Sequence, residues 1–69
     1  MTPIERAVKA VGGQAALAAA LGVSSSFVNQ WVTGKRPVPP TRCRAIEAAT
    51  NSEVTCEELR PDVFGEAVA

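Results

Sequence analysis

A chain of 69 residues with seven basic and seven acidic side chains has room for one domain with one small core, which excludes a multidomain enzyme. Apolar residues make up 46% of the chain, but no run approaches the roughly 20 apolar residues that a membrane span needs. We therefore expect a soluble protein that does not bind a membrane. The charged first ten residues, without an apolar signal core, predict a cytoplasmic location.

The first residues predict a helix that begins at the start of the chain. Thr2, Pro3 and Glu5 are a hydroxyl cap, a proline at the first helical position and a glutamate that closes a capping box. Apolar side chains then recur at intervals of three and four as far as Val11, and the two glycines that follow end the helix.

Two further helical patterns meet at a single glycine. The second helix is expected from about Gln14 to Leu21, where Gly22 supplies the left-handed residue that stops it. The third helix is expected from a serine cap at position 24 or 25 to about Val32.

The second half of the chain predicts two more helices. The basic segment "KRPVPP", residues 35–40, cannot be helical at its prolines, so we expect a short, stiff connection. A fourth helix should follow from about Pro40 to Thr50, and a capping box at residues 55–58 begins a short fifth helix that ends at Pro61. The sequence therefore predicts one all-α domain, residues 1–69, with about five short helices and no strand.

Residue types argue against catalysis and against a metal site. The chain contains no His and no Tyr, no phosphate-cradling glycine loop and no cysteine with an evident activating base. Cys43 and Cys56 could form a disulfide or bind a metal, but reduced, buried thiols are more usual in a cytoplasmic chain with so few cysteines. We expect neither an enzyme nor a cofactor.

Residues 14–33 match the pattern of a helix-turn-helix. Ala18 falls where the second helix meets the third, a place that only a small side chain fits, and Gly22 falls in the turn. Apolar residues occupy the inward positions that hold two helices at a steep angle, and these are Leu17, Leu21, Val23, Val28 and Trp31.

The side chains left outside on the third helix are suited to reading DNA. Between Val11 and Gly34 the chain has no charged residue, although Glu and Lys would be the usual filler of a merely solvated face. Short hydroxyl and amide side chains at a helix N-terminus can read base edges in the major groove. The candidate base contacts are Ser25, Ser26, Phe27, Asn29 and Gln30.

At these residues the sequence resembles the helix-turn-helix of phage Cro and repressor proteins. Over roughly residues 2–63 it is similar to the YdaS-like group of small Cro-type regulators and antitoxins, through stretches that include "TPIERAVKAVGGQAALAAALGV", "QWVTGKRPVP" and "VTCEELRPDV". The resemblance implies a lambda repressor-like fold that binds operator DNA as a homodimer and represses transcription. It places the family's base contacts at Ser25, Ser26, Asn29 and Gln30 and its phosphate contacts at Gln14, Lys35 and Arg36.

Phe27 departs from that group, in which a small residue often stands at this position. Its ring could touch a thymine methyl group or pack on the connection after the helix.

Charge and position agree with these phosphate contacts. Residues 1–44 carry six basic side chains and one acidic, a balance of +5, and residues 45–69 the reverse, −5. Such asymmetry indicates one side that faces a polyanion, although so few charges could divide this way by chance. Gln14 begins a helix whose free N–H groups suit a phosphate. Lys35 and Arg36 follow the third helix, whereas Arg42 is either a further phosphate contact or plain solvated surface.

The acidic half suggests how two copies would assemble. One small domain with few phosphate contacts would bind weakly, so a homodimer on half-sites about 34 Å apart is expected. Residues 54–69 are the candidate dimerisation segment, with Val63, Phe64 and Val68 as apolar contacts. The alternative is an antitoxin or anti-repressor type of protein-binding module, whose acidic half blocks a basic partner such as a toxin or regulatory protein.

Overall fold

Five α-helices make up the computed structural model, which describes residues 2–64. No strand lies in that range, and none of its helices is long and apolar enough to span a bilayer. The predicted all-α fold is confirmed, with helix boundaries close to those expected. The helices are α1 (Pro3–Val11), α2 (Gln14–Leu21), α3 (Ser25–Thr33), α4 (Pro40–Ala49) and α5 (Cys56–Leu59).

Both predicted capping boxes form. At α1 the Thr2 hydroxyl accepts the N–H of Glu5 at 3.3 Å, and the Glu5 carboxylate accepts the N–H of Thr2 at 2.8 Å. The same reciprocal pair begins α5, at Thr55 and Glu58. Ser24 is the N-cap of α3 as expected, but its side chain makes no capping hydrogen bond, so α3 begins without a side-chain partner for its first N–H groups.

The core is built around α2, which contacts α1, α3 and α4. Leu17 of α2, Val28 of α3 and Ile46 of α4 are each 0% exposed. Ala18 and Trp31 are also buried, as the helix-turn-helix interpretation requires. The remaining buried apolar residues are Ile4, Ala7, Leu21, Val38, Cys43, Val54 and Cys56.

Replacing Ala18 by Leu is expected to lower the free energy of unfolding by about 1–3 kcal/mol, because a larger side chain would overpack a position that is 4% exposed. Urea denaturation followed by circular dichroism measures the change. Ala20→Leu is the matched control, since Ala20 lies exposed on the same helix. Equal stability of the Ala18 variant and the parent would contradict a tight crossing between α2 and α3 at this residue.

Hydrogen bonds from α4 hold the segment that precedes α5. The Thr50 hydroxyl, which is buried, donates to the carbonyl of Ile46 at 2.9 Å and accepts the N–H of Val54 at 3.3 Å. A Glu47 carboxylate oxygen accepts the N–H of Cys56, the first residue of α5, at 3.0 Å. The short α5 is therefore fixed to α4 at its beginning, and Val54 is drawn into the core.

The proline-rich connection is anchored as well as stiff. Val38 lies between prolines and is buried in the core, 5% exposed. The Arg60 guanidinium donates to the Val38 carbonyl at 2.7 Å and forms an ion pair with Asp62, also at 2.7 Å. Arg60 thus fixes the middle of the connection from a position 22 residues further along the chain.

The division of charge along the sequence is only partly kept in space. Arg6, from the basic part of the chain, forms an ion pair of 2.7 Å with Glu58 and donates to the Glu53 carbonyl at 3.0 Å. No ion pair joins Arg36 or Arg42 to another residue between 2 and 64. Among residues 2–64, therefore, no carboxylate offsets the charge of these two arginines.

Both cysteines are buried free thiols, so their interpretation as small core side chains is confirmed. Burial raises the pKa of the Cys43 thiol and raises the pKa of Cys56 to about 11. Both thiols therefore stay protonated, and thus weakly nucleophilic, at neutral pH.

The free energy of unfolding should fall on both sides of neutral pH. Hydrogen bonds from Cys56 lower the pKa of Glu47, and bonds from Arg6 lower the pKa of Glu58. Below about pH 5 the unfolded chain binds more protons than the folded chain, so stability falls as pH decreases. Above about pH 8.5 the unfolded thiols ionise first, so stability falls as pH rises. Urea denaturation across this range checks both limbs, and an acid limb left unchanged by Glu58→Gln would contradict the assignment.

Candidate nucleic-acid interface

The exposed arc of α3 is polar at its centre. Val28 and Trp31 face the core, whereas Ser25, Ser26 and Asn29 are exposed. Since successive helical residues turn by about 100°, Ser26 lies near the middle of this arc, with Ser25 and Phe27 on opposite sides of it. The polar residues at the beginning of α3 thus share one surface.

A depression of about 370 Å³ lies between this surface and the beginning of α2. The Asn29 amide donates to the Gln14 side-chain oxygen at 3.4 Å, which links α3 to α2 across it. We call this site the amide depression, and it is lined by Gln14, Ser25, Ser26, Asn29, Gln30 and Lys35. Six of the nine side chains predicted to contact DNA therefore lie together.

The amide depression is free of negative charge. Neither α2 nor α3 has an acidic residue in its first turn, and neither has a side-chain capping bond. The N–H groups that begin each helix carry partial positive charge, which favours an anion nearby. The Lys35 ammonium adds a full positive charge to the same lining.

Gln30, like Gln14, is half-buried. Its Oε1 is buried and accepts no hydrogen bond from any residue between 2 and 64. A buried acceptor without a partner destabilises a fold by about 1–3 kcal/mol. A hydrogen-bond donor that reaches the Gln30 oxygen would remove this cost. Sequence reasoning had no signal for this feature, because it depends on how α3 packs.

The other three predicted contacts lie on a neighbouring side of α3. Phe27 is 48% exposed and lines two hollows, one with Arg36 and one with Arg42. Pro39 also lines both hollows. The Arg42 guanidinium makes a long hydrogen bond of 3.5 Å to the carbonyl of Leu21, at the end of α2. Of the two roles open to Phe27, this location favours contact with the connection.

Comparison with known proteins gives one family and two relatives. The family model described as "Bacterial toxin YdaS" matches residues 4–68. YdaS of Escherichia coli (strain K12), a proposed transcriptional regulator, is 58% identical over 59 residues, which is 86% of this chain and 60% of that protein. The chain thus spans less than two thirds of that relative's length.

A solved structure is similar over nearly the whole chain. The Cro protein from Xfaso 1, a proposed prophage element of Xylella fastidiosa strain Ann-1, superposes with a TM-score of 0.88 at 48% identity. The match covers 94% of this chain and 98% of that one. These comparisons confirm the resemblance to Cro and YdaS-like proteins, and neither relative's name describes an enzyme.

Proposed function

Because this chain belongs to the YdaS family, we propose that it is a cytoplasmic, Cro-like repressor that binds double-stranded DNA as a homodimer. The observation that carries this proposal is the amide depression, in which α3 presents hydroxyl and amide groups beside Gln14 and Lys35. The likeness to a prophage Cro protein over 94% of the chain supports it.

In the proposed complex α3 enters the major groove and reads base edges. Asn29 and Gln30 are the amides of α3, and an amide pairs with adenine by accepting from N6 and donating to N7. Ser25 and Ser26 begin the helix on the same exposed surface and accept or donate to either type of base edge. A base amino group would also supply a donor for the Gln30 oxygen if that side chain turned toward the groove.

Phosphate contacts would fix the position of α3. Gln14 lies at the beginning of α2, where unpaired N–H groups and the side-chain amide donate to the same phosphate. Lys35 lies on the lining of the amide depression, whereas Arg36 and Arg42 would reach the backbone on the neighbouring side. The backbone N–H of Arg36 donates to the Gln30 carbonyl at 3.2 Å, which holds Arg36 beside α3.

A homodimer would place two such surfaces on successive turns of DNA. Residues 54–69, in the acidic second half of the chain, are proposed to lie away from the phosphates and to supply the dimer contact. Val63 is 44% exposed and available for it, whereas Phe64 packs partly against the core of its own chain. Val68 lies outside the described residues.

Changing Lys35 or Arg36 to Ala should weaken binding to every duplex by a similar factor, because a phosphate contact carries no sequence information. Each change should also reduce the slope of log affinity against log salt concentration by about one. Fluorescence anisotropy with operator and scrambled duplexes at several salt concentrations measures both effects. A changed base preference in either variant would contradict the assignment of Lys35 and Arg36 as phosphate contacts. An affinity for duplex that does not change with salt concentration would contradict DNA binding itself.

A protein-binding module of antitoxin or anti-repressor type is the second candidate. The family's description as a bacterial toxin favours considering a partner protein of the toxin or regulatory type. This function predicts no steep salt dependence toward duplex DNA, so the same anisotropy measurement separates the two candidates.

A further inference from the structure

Three hollows adjoin along the side of α3 that neighbours the amide depression. Their volumes are about 320, 360 and 240 Å³, and Trp31 lines all three. They run from Ile4 at the beginning of α1 to Val23 in the turn before α3. We call them together the arginine-rimmed groove, whose walls are Val23, Phe27, Trp31, Pro37 and Pro39 and whose rim carries Arg36 and Arg42.

The walls of this groove are apolar, with Phe27 and Pro37 exposed and Trp31 only 6% exposed at their base. Phe27 and Val63 are the large apolar side chains that stand exposed among residues 2–64, and Phe27 divides two of the hollows. Pro37 and Pro39 add rigid apolar surface opposite it. An exposed aromatic ring beside apolar hollows offers contact area to a ligand that carries large apolar side chains.

The charge of the groove has one sign. No acidic side chain is among the residues that line the three hollows. Arg60 is neutralised by Asp62, but Arg36 and Arg42 make no ion pair with any described residue. A ligand that fits the groove therefore combines negative charge with large apolar side chains.

We propose that the arginine-rimmed groove binds an extended, acidic segment of a partner protein that carries large apolar side chains. Its carboxylates would pair with Arg36 and Arg42, and its apolar side chains would fill the hollows beside Trp31 and Phe27. The phosphates of DNA match the arginines alone, because a sugar-phosphate backbone has no apolar side chain to occupy hollows walled by proline and tryptophan.

Occupancy of the groove would regulate DNA binding. Arg36 belongs to the groove rim and is also a phosphate contact in the proposed function, on which this second step rests. A segment that engages Arg36 withdraws it from DNA and places negative charge beside α3. The acidic segment and the operator therefore exclude each other.

Direct binding is tested on the full chain without DNA. The probe is a short synthetic peptide of alternating glutamate and leucine, with a lysine and leucine peptide of equal length for comparison. The chain has one Trp, so its fluorescence reports on the groove. We expect a saturable change with the acidic peptide and none with the basic peptide. Phe27→Ser should weaken binding at least about tenfold, as removal of a central anchor does, while Ala20→Ser, at an exposed position that lines none of the three hollows, should leave it unchanged.

A charge reversal keeps the test independent of folding defects. The double variant Arg36→Glu, Arg42→Glu changes exposed side chains alone and should exchange the preference, so that the basic peptide binds and the acidic one does not. Equal responses to both peptides would overturn the proposal. So would a concentration-dependent fluorescence change and a doubled mass, both of them abolished by Phe27→Ser, since a second copy would then occupy the groove. A change produced by duplex DNA and abolished by Phe27→Ser would assign the groove to DNA and overturn it likewise.

Competition then tests the regulatory step. Acidic peptide should displace a labelled operator duplex from the parent chain, and simultaneous binding of both would contradict exclusion. Gln14→Ala should weaken DNA binding and leave the peptide titration unchanged, because Gln14 lines the amide depression and not the groove. If the chain binds the peptide but no duplex, the proposed DNA-binding function is refuted, whereas the proposed peptide binding by the groove is not.

Discussion

Leu17→Ala should lower the free energy of unfolding by about 2–5 kcal/mol, the range for removing a large aliphatic side chain from a core. Leu17 is 0% exposed, and it lies on α2, which contacts α1, α3 and α4. Relaxation around the vacated volume would have to move several helices together, so we expect a value in the upper part of this range. Domains are stable by only about 5–15 kcal/mol in total, which makes this variant largely unfolded at modest urea concentrations.

Urea denaturation followed by circular dichroism gives the number. Arg44→Ala is the comparison, because Arg44 lies exposed on α4 and a surface change of this type usually alters stability by no more than about 0.5 kcal/mol. A loss at Leu17 as small as the loss at Arg44 would mean that α2 is not the centre of the core.

Asn29→Ala should lower affinity for the preferred operator by about 1–3 kcal/mol and leave non-specific binding almost unchanged. The amide of Asn29 is exposed, and its bond to Gln14 at 3.4 Å is long enough to yield to a stronger partner. Gln30→Ala should act in the same direction but more mildly, because Gln30 is half-buried and its oxygen is turned away from solvent.

Both variants are to be measured on operator and scrambled duplexes at one fixed salt concentration, after selection of operators from a random pool. A loss confined to the operator assigns base reading to the amide. Equal losses on both duplexes would show that α3 does not read bases through these residues, even if the protein binds DNA.

Local chemistry explains why the helices could be predicted from sequence. Capping boxes at Thr2 and Thr55 and the left-handed glycine at Gly22 are decided within a few residues of chain, so they can be read without knowledge of the fold. The buried position of Val38 could not be read in this way. The Val38 carbonyl is held by Arg60, which lies 22 residues further along the chain, and a valine among prolines gives no periodic signal.

The candidate site likewise has a part that local sequence predicts and a part that depends on the fold. Ser25, Ser26, Asn29 and Gln30 share α3 and lie together because helical geometry fixes their spacing, whereas Phe27 of the same helix lines the groove. Lys35 and Arg36 are adjacent in sequence, yet Lys35 lines the amide depression and Arg36 lines the groove. Their separation follows from the path of the chain after α3, where the Arg36 N–H donates to the Gln30 carbonyl and Val38 is buried in the core.

The anchored connection also has an entropic consequence for binding. Lys35 and Arg36 lie between two fixed points, the end of α3 at Gly34 and the buried Val38, whose carbonyl is held by Arg60. Proline at position 37 narrows the backbone freedom of this short span further. Ordering a flexible loop opposes association by roughly 1–2 kcal/mol for each residue that must be fixed. Here that loss is borne when the chain folds, so a ligand that meets these two cations finds a backbone already in place and must restrict only their side chains.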